Sequence, residues 1–178
     1  MNRKLIAITA SVLLTGCASA PLTLSYSPSS MLSVEGNAKV GDFKYLPGLY
    51  DQDVKPNQIK NTALGNIIFE KNIDEYFEKA VFTESRFVGI NIADSGSVIS
   101  GNINQFLIDD LGYQIDWTLD VSYLVKGTDK SECYSKNQVI RKSSEKFGNV
   151  FGALNDVMRL NIEKAFSDPD FVKCINSQ

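Results

Sequence analysis

The strongest regularity in the chain is a strict alternation between Tyr113 and Val125. Tyr113, Ile115, Trp117, Leu119, Val121, Tyr123 and Val125 are apolar or aromatic, and Gln114, Asp116, Thr118, Asp120 and Ser122 stand between them. A period of two is the period of a β-strand, so the stretch predicts a long strand with one buried face and one wet face. Trp117, the only tryptophan, falls in the apolar register and belongs to the core. Asp109-Asp110-Leu111-Gly112 before it and Gly127-Thr128-Asp129-Lys130 after it are turn signals. They predict a meander in which Val98 to Ile108 is the first strand and Cys133 to Lys146 the third. The third is more polar, an edge protected by Lys136, Arg141 and Lys142.

Two segments follow the helical period instead. Over Thr62 to Phe82, the residues Phe69, Ile73, Tyr76, Phe77 and Ala80 share one face, and Glu70, Lys71, Asp74, Glu75, Glu78 and Lys79 fill the other. Gly65 weakens the first turn. A second helix is predicted over Asn149 to Phe166, with Val150, Phe151, Leu154, Val157, Met158, Ile162 and Ala165 on its apolar side. Asp168-Pro169-Asp170 stops it, and Phe171 to Cys174 adds a final turn. Upstream, Leu32 to Tyr45 mixes β-formers with Gly36 and Gly41 and predicts a strand with a bulge. Pro47-Gly48 turns the chain, a polar loop runs to about Asn61, and Phe87 to Ile92 reads as a short strand entering the meander. The order β-α-β-β-β-α predicts an α+β two-layer sandwich: an antiparallel sheet of about four strands with two amphipathic helices on one face.

The first residues address the chain. Arg3 and Lys4 precede an apolar run from Leu5 to Leu14, which is too short to span a bilayer. The run ends in Leu14-Thr15-Gly16-Cys17, which resembles the lipobox of bacterial lipoproteins. A secretory leader with an incidental cysteine and a buried core helix are the alternatives. The resemblance implies that Cys17 carries a diacylglyceryl group and, after cleavage, an N-acyl chain. Two or three such chains anchor a protein stably where one does not. It also implies the outer membrane, periplasmic side, because Ala18-Ser19 replace the Asp that retains such proteins at the inner membrane. Residues 1–16 are then a signal peptide, 17–31 an acylated cysteine with a Ser-, Pro- and Thr-rich flexible tether, and 32–178 a single periplasmic domain.

Composition removes many functions. Loss of residues 1–16 leaves 162 of the 178 residues, enough for one domain with a sizeable core, and moves the formal charge from −3 to −5. An acidic chain without a basic patch has no electrostatic basis for binding nucleic acid. Histidine is absent, which excludes Ser-His-Asp and Cys-His pairs, an imidazole base and His-containing zinc sites. With Cys17 acylated, Cys133 and Cys174 remain, too few for a thiolate zinc cage. In an oxidising compartment they are expected to pair, closing a loop of about 40 residues that contributes about 4 kcal/mol on a chain-entropy model. Two buried thiols are the alternative. No cofactor is expected.

The remaining chemical candidates are weak. Ser143-Ser144-Glu145-Lys146 contains an S-x-x-K string, but the S-D-N and K-T-G partners of penicillin-binding enzymes are missing. Asp51-Gln52-Asp53 and Asp109-Asp110 lack the ligand spacing of a calcium loop. Asp116 and Asp120 project from the wet face of the central strand, where a carboxylate pair serves acid–base chemistry on glycans and, more ordinarily, solubility. Tyr45, Leu46, Leu49 and Tyr50 flank Pro47-Gly48; exposed together they would form a patch in want of a partner, and a loop packed over the sheet is the favoured alternative.

A lipobox followed by a polar tether and a strand–helix–meander–helix domain resembles several small envelope lipoproteins. These include the lipopolysaccharide-assembly lipoprotein, YajG-type lipoproteins and the auxiliary lipoproteins of envelope transporters. They share architecture rather than a residue motif, so only Cys17 carries over. The resemblance implies a non-enzymatic interaction or assembly component of an envelope complex, held to the membrane by its acylated cysteine and bound to another envelope protein. The alternative is a carrier or sensor of a lipid or glycan in an apolar pocket.

Overall fold

The meander forms as its alternation requires. The computed structural model describes residues 21–63 and 65–177; Cys17 and the expected leader, residues 1–16, lie outside the described residues. β1 (Asn37–Tyr45) leads into α1 (Leu46–Tyr50), then β2 (Gln58–Asn61), β3 (Ile67–Ile68), α2 (Ile73–Val88) and β4 (Asn91–Ile92). The meander is β5 (Ser97–Asp109), β6 (Gln114–Lys126) and β7 (Glu132–Glu145), and α3 (Val150–Phe166) and α4 (Pro169–Asn176) close the chain. The described residues thus form an α+β fold with one seven-stranded sheet and four helices, in place of the expected four strands and two helices.

β5 organises the sheet. One edge pairs antiparallel with β6 from Val98 to Asp109, and β6 pairs antiparallel with β7, which is an edge strand. The other edge of β5 is shared. β1 occupies its first half, with Ala38 beside Ser97 and Tyr45 beside Ile103; β2 takes over at Leu107 and Ile108. Both pairings are parallel, so the sheet is mixed and the expected antiparallel sheet is corrected. Alternation shows which face of a strand is buried but not which way its neighbour runs. The long crossover through α2 between β1 and β5 is what permits the parallel pairing.

The first predicted helix begins later than its stripe suggested. Residues 62–72 supply the turn that follows β2, Gly65 at positive φ (79°) and β3, and Phe69 forms an isolated bridge with Leu22. The helix starts at Ile73 and runs past Phe82 to Val88, where Gly89 adopts the left-handed conformation that ends helices (φ 105°). α3 matches its predicted bounds and stripe except at Phe151, which is 50% exposed; the Asn149 side chain caps it by accepting from the Gly152 amide at 2.9 Å. The short strand expected over Phe87 to Ile92 is reduced to β4, which pairs with β1.

α2, α3 and α4 cover one face of the sheet. Phe43 of β1, Phe77 of α2 and Tyr123 of β6 meet edge-on or tilted, with ring centres 5.2 to 6.4 Å apart. The Tyr123 hydroxyl donates to Asn161 Oδ1 of α3 at 2.9 Å, and Asn161 Nδ2 donates to the Gln138 and Leu119 carbonyls. That buried network satisfies its own polar groups and fixes α3 against β6 and β7. Trp117 is 1% exposed, as its register predicts. Tyr113 is not: it is fully exposed, because it precedes β6 in the turn, past the cover of the helical layer.

Candidate functional site

Three surfaces carry features that core packing does not explain: the segment before β1, the wet sheet face beside α1, and the end of the sheet where β5 turns into β6.

The segment before β1 is laid along the domain. From Leu22 onward the tether expected over 17–31 has fixed partners: the Leu22 amide donates to the Ile68 carbonyl, and the Glu70 amide to the Leu22 carbonyl. The strap then crosses the helices. Tyr26 Oη donates to Glu84 Oε2 and the Ser30 amide to Glu84 Oε1, both at 2.8 Å. The Ser27 amide donates to Asn155 Oδ1 of α3, and the Val34 amide reaches the Val88 carbonyl. Glu84 is wholly buried, so its two carboxylate oxygens lock the strap in a medium that strengthens each bond. Burial, then the bond to Glu84, pushes the Tyr26 hydroxyl far above its ordinary value, so Tyr26 remains a donor. The sequence carried a signal for this lock: Glu84 sits in the apolar stripe of Phe77, Ala80, Val81 and Val88.

A groove of about 810 Å³ opens between the strap, β1 and α2, lined by Leu24, Val40, Tyr76 and Phe82 together with Lys71, Glu75 and Lys79. Beside it the register shift between Val40 and Phe43 frees the Phe43 amide, which donates to Glu78 Oε1 at 2.7 Å. Partial burial raises the Glu78 carboxyl despite that bond, and the charges of Asp42, Asp74 and Glu75 push the same way. An enclosed apolar pocket is not what this groove provides. The space between sheet and helices is filled by Phe43, Phe77, Tyr123, Phe166 and Phe171.

The wet face bears the candidate carboxylates, and each is occupied. Asp116 accepts from the Ser143 hydroxyl; Asp120 accepts from Asn104 Nδ2 at 2.8 Å. Ser144 accepts from the Trp117 indole at 2.9 Å. Lys146, the other end of the S-x-x-K string, turns away to the Asp110 and Gly112 carbonyls and pairs with the Asp110 carboxylate at 2.9 Å. Asp51 is held below the usual carboxylate range by the Asp53 amide and Lys60, and Asp109 by the Thr62 hydroxyl and the Leu111 amide. Asp51-Gln52-Asp53 and Asp109-Asp110 therefore serve their own turns. No group of three His, Cys, Asp or Glu side chains converges among the described residues.

The expected aromatic patch around Pro47 divides. Tyr45 is buried, Leu46 is half-buried, and Leu49 and Tyr50 are 57% and 80% exposed on α1. Tyr50 stands at the rim of a groove of about 630 Å³ that runs over Asn104, Leu107 and Asp120 to Lys60.

Cys133 and Cys174 are bonded, with Cα atoms 5.6 Å apart, and join β7 to α4. Nearby Lys136 pairs with Asp168 at 2.9 Å and Asp170 at 2.7 Å. Burial alone would raise the Asp168 carboxyl; Lys136 and the Asp170 amide outweigh it and hold Asp168 low. At the opposite end Leu111, Tyr113, Phe147 and Phe151 are all half or more exposed. No helix among the described residues is long and apolar enough to cross a membrane.

No protein-family model matches the sequence, and no curated protein matches it. Among solved structures the chain is similar to protein XCC0632 from Xanthomonas campestris, of family DUF330. The TM-score is 0.58 at 10% identity over 83% of this chain and 91% of that one. Looser matches are the hypothetical protein CT253 from Chlamydia trachomatis (TM-score 0.48, 10% identity, 75% and 92% of the two chains). Lipoprotein GNA1162 from Neisseria meningitidis is another (TM-score 0.39, 8% identity, 72% and 99%). At 10% identity the likeness to XCC0632 is one of fold alone.

Proposed function

We propose that this chain is a lipid-anchored outer-membrane protein, facing the periplasm, that acts without catalysis as an interaction or assembly component of an envelope complex. The observation that carries the interaction role is Tyr50, 80% exposed on the one-turn helix α1 and lining the α1 groove, with Leu49 exposed beside it. An exposed aromatic side chain beside a concave floor of mixed character, with Phe106 and Leu107 next to Asn104 and Asp120, is the arrangement that anchors protein partners. The occupant fitting it is an envelope protein that presents an apolar side chain to Tyr50 and hydrogen-bonding groups to Asn104 and Asp120. The anchoring role rests on Leu14-Thr15-Gly16-Cys17. The non-catalytic role rests on the absent histidine and on Ser143, Ser144 and Lys146 being drawn to different partners.

The test is site-specific photocrosslinking in cells, with a benzophenone side chain at position 50 and, as control, at Glu132. A discrete envelope protein captured from position 50 and not from 132 is the expected result. A protein that never crosslinks from position 50 and leaves gently solubilised membranes as a lone species refutes the assembly role.

A further inference from the structure

The exposed end of the sheet has an occupant that the path of the chain identifies. β5 and β6 turn at Asp110–Tyr113, β7 ends at Glu145 opposite Gln114, and β2 ends beside Ile108, so three connections meet at one tip. Leu111 is 72% exposed there, Tyr113 and Phe147 are fully exposed, and Phe151 is half exposed. Lys146 donates to the Asp110 and Gly112 carbonyls and pairs with the Asp110 carboxylate, which clips two of the turns together and neutralises its own charge. The tip is therefore a tied, apolar, aromatic surface.

The strap fixes where the anchor can be. Leu22 bonds beside Phe69, whose amide donates to the Asn57 carbonyl; from Asn57 to the end of β2 at Asn61 the chain climbs about 13 Å toward the tip at strand rise. Leu22 runs parallel to Phe69, and that direction leads away from the tip, so the upstream side of Leu22 faces the tip. Four residues lie between Cys17 and Leu22, and the five Cα–Cα steps reach at most about 18 Å. Fully extended, Cys17 comes level with the end of β5 at Asp109, where the turn of the tip begins. It cannot approach the far end, which lies a full β6 length, about 40 Å, from the tip.

We propose that the Leu111, Tyr113 and Phe147 tip rests in the headgroup region of the bilayer that holds the acylated Cys17, standing the sheet on the membrane with the disulfide end outermost. The inference rests on the acylation of Cys17 in the reading above. Phe and Tyr favour this depth because their rings enter the acyl boundary while the Tyr hydroxyl stays hydrated. The short reach also means that the domain does not hang free on a long tether.

The test uses the full-length chain, purified from membranes and reconstituted in phosphatidylethanolamine–phosphatidylglycerol vesicles whose acyl chains carry bromine near the headgroup. Phe147→Trp and Tyr113→Trp place a reporter at the tip, Glu132→Trp places one at the far end, and Trp117 supplies the buried background. Intact mass reports the state of Cys17 in each preparation. Expected is quenching at 147 and 113 several-fold greater than at 132. Equal quenching at all three sites with Cys17 acylated overturns the tip alone and leaves the anchor standing. An unmodified Cys17 overturns both.

Discussion

The two ends of the sheet are built on opposite terms. At the far end β7 and α4 are joined by the Cys133–Cys174 bond, Lys136 clamps Asp168 and Asp170, and Phe171 packs against Phe166 and Tyr134. At the tip three connections carry exposed Leu111, Tyr113 and Phe147, held by Lys146 and Asp110. One end spends its apolar groups on folding, and the other displays them. A surface displayed at a cost to solubility, yet tied in place, is one that meets something.

The contrast breaks first at the disulfide. Replacing both Cys133 and Cys174 with Ser should destabilise the domain by about 4 kcal/mol for this loop length. The unfolding free energy from urea titration measures it, with midpoint and slope both fitted because the freed unfolded chain exposes more surface; a loss below about 1 kcal/mol removes the claim that this end is covalently governed. The strap comes next. Glu84→Ala strands the Tyr26 hydroxyl and the Ser30 amide, and should cost about 3 kcal/mol and expose residues 22–30 to proteases. A strap as resistant to cleavage as in the parent chain would show that Glu84 is not its lock.

Smaller effects sharpen the tip. Lys146→Met leaves the Asp110 carboxylate, 4% exposed as a residue, without its cation and should cost about 1–3 kcal/mol, read by thermal melting. Acid tests the far end by direction. Asp168 is held below its ordinary pKa, so its contribution is present at neutral pH and lost as pH falls below about 4. Lys136→Met should flatten that part of the stability–pH profile, and an unchanged profile would dismiss the clamp. Last, Phe147→Ser should alter stability by less than about 0.5 kcal/mol, because its ring contributes to display and not to the core. A larger loss would mean that the ring packs on something in the domain.

Much of the frame was legible beforehand. The alternation from Ile115 to Val125 located β6, its neighbours and the buried face of Trp117, and the stripe from Val150 to Ala165 located α3. The edge at β7 was legible from its lysines. The candidate site was less so. Leu49 and Tyr50 were marked by their place beside Pro47, but Tyr45 behaves differently from both, and only packing separates them. Glu84 was missed because a carboxylate in an apolar stripe shows its purpose only when Tyr26 and Ser30 arrive from more than fifty residues away.

Local chemistry by itself determined the strand and helix periods and the pair of cysteines suited to a bond, and it supplied the expectation of a leader ending at Cys17. Those are properties of neighbours along the chain, set by side-chain spacing and rotamer and turn preferences. Tertiary structure alone decided that β1 and β2 share one edge of β5 in parallel, and that Tyr113 stands in water while Ile115 does not. It also decided that the polar segment after Cys17 is docked along the helices from Leu22 onward. These depend on which distant groups compete for the same hydrogen bonds and the same buried area, and a one-dimensional pattern does not contain that competition.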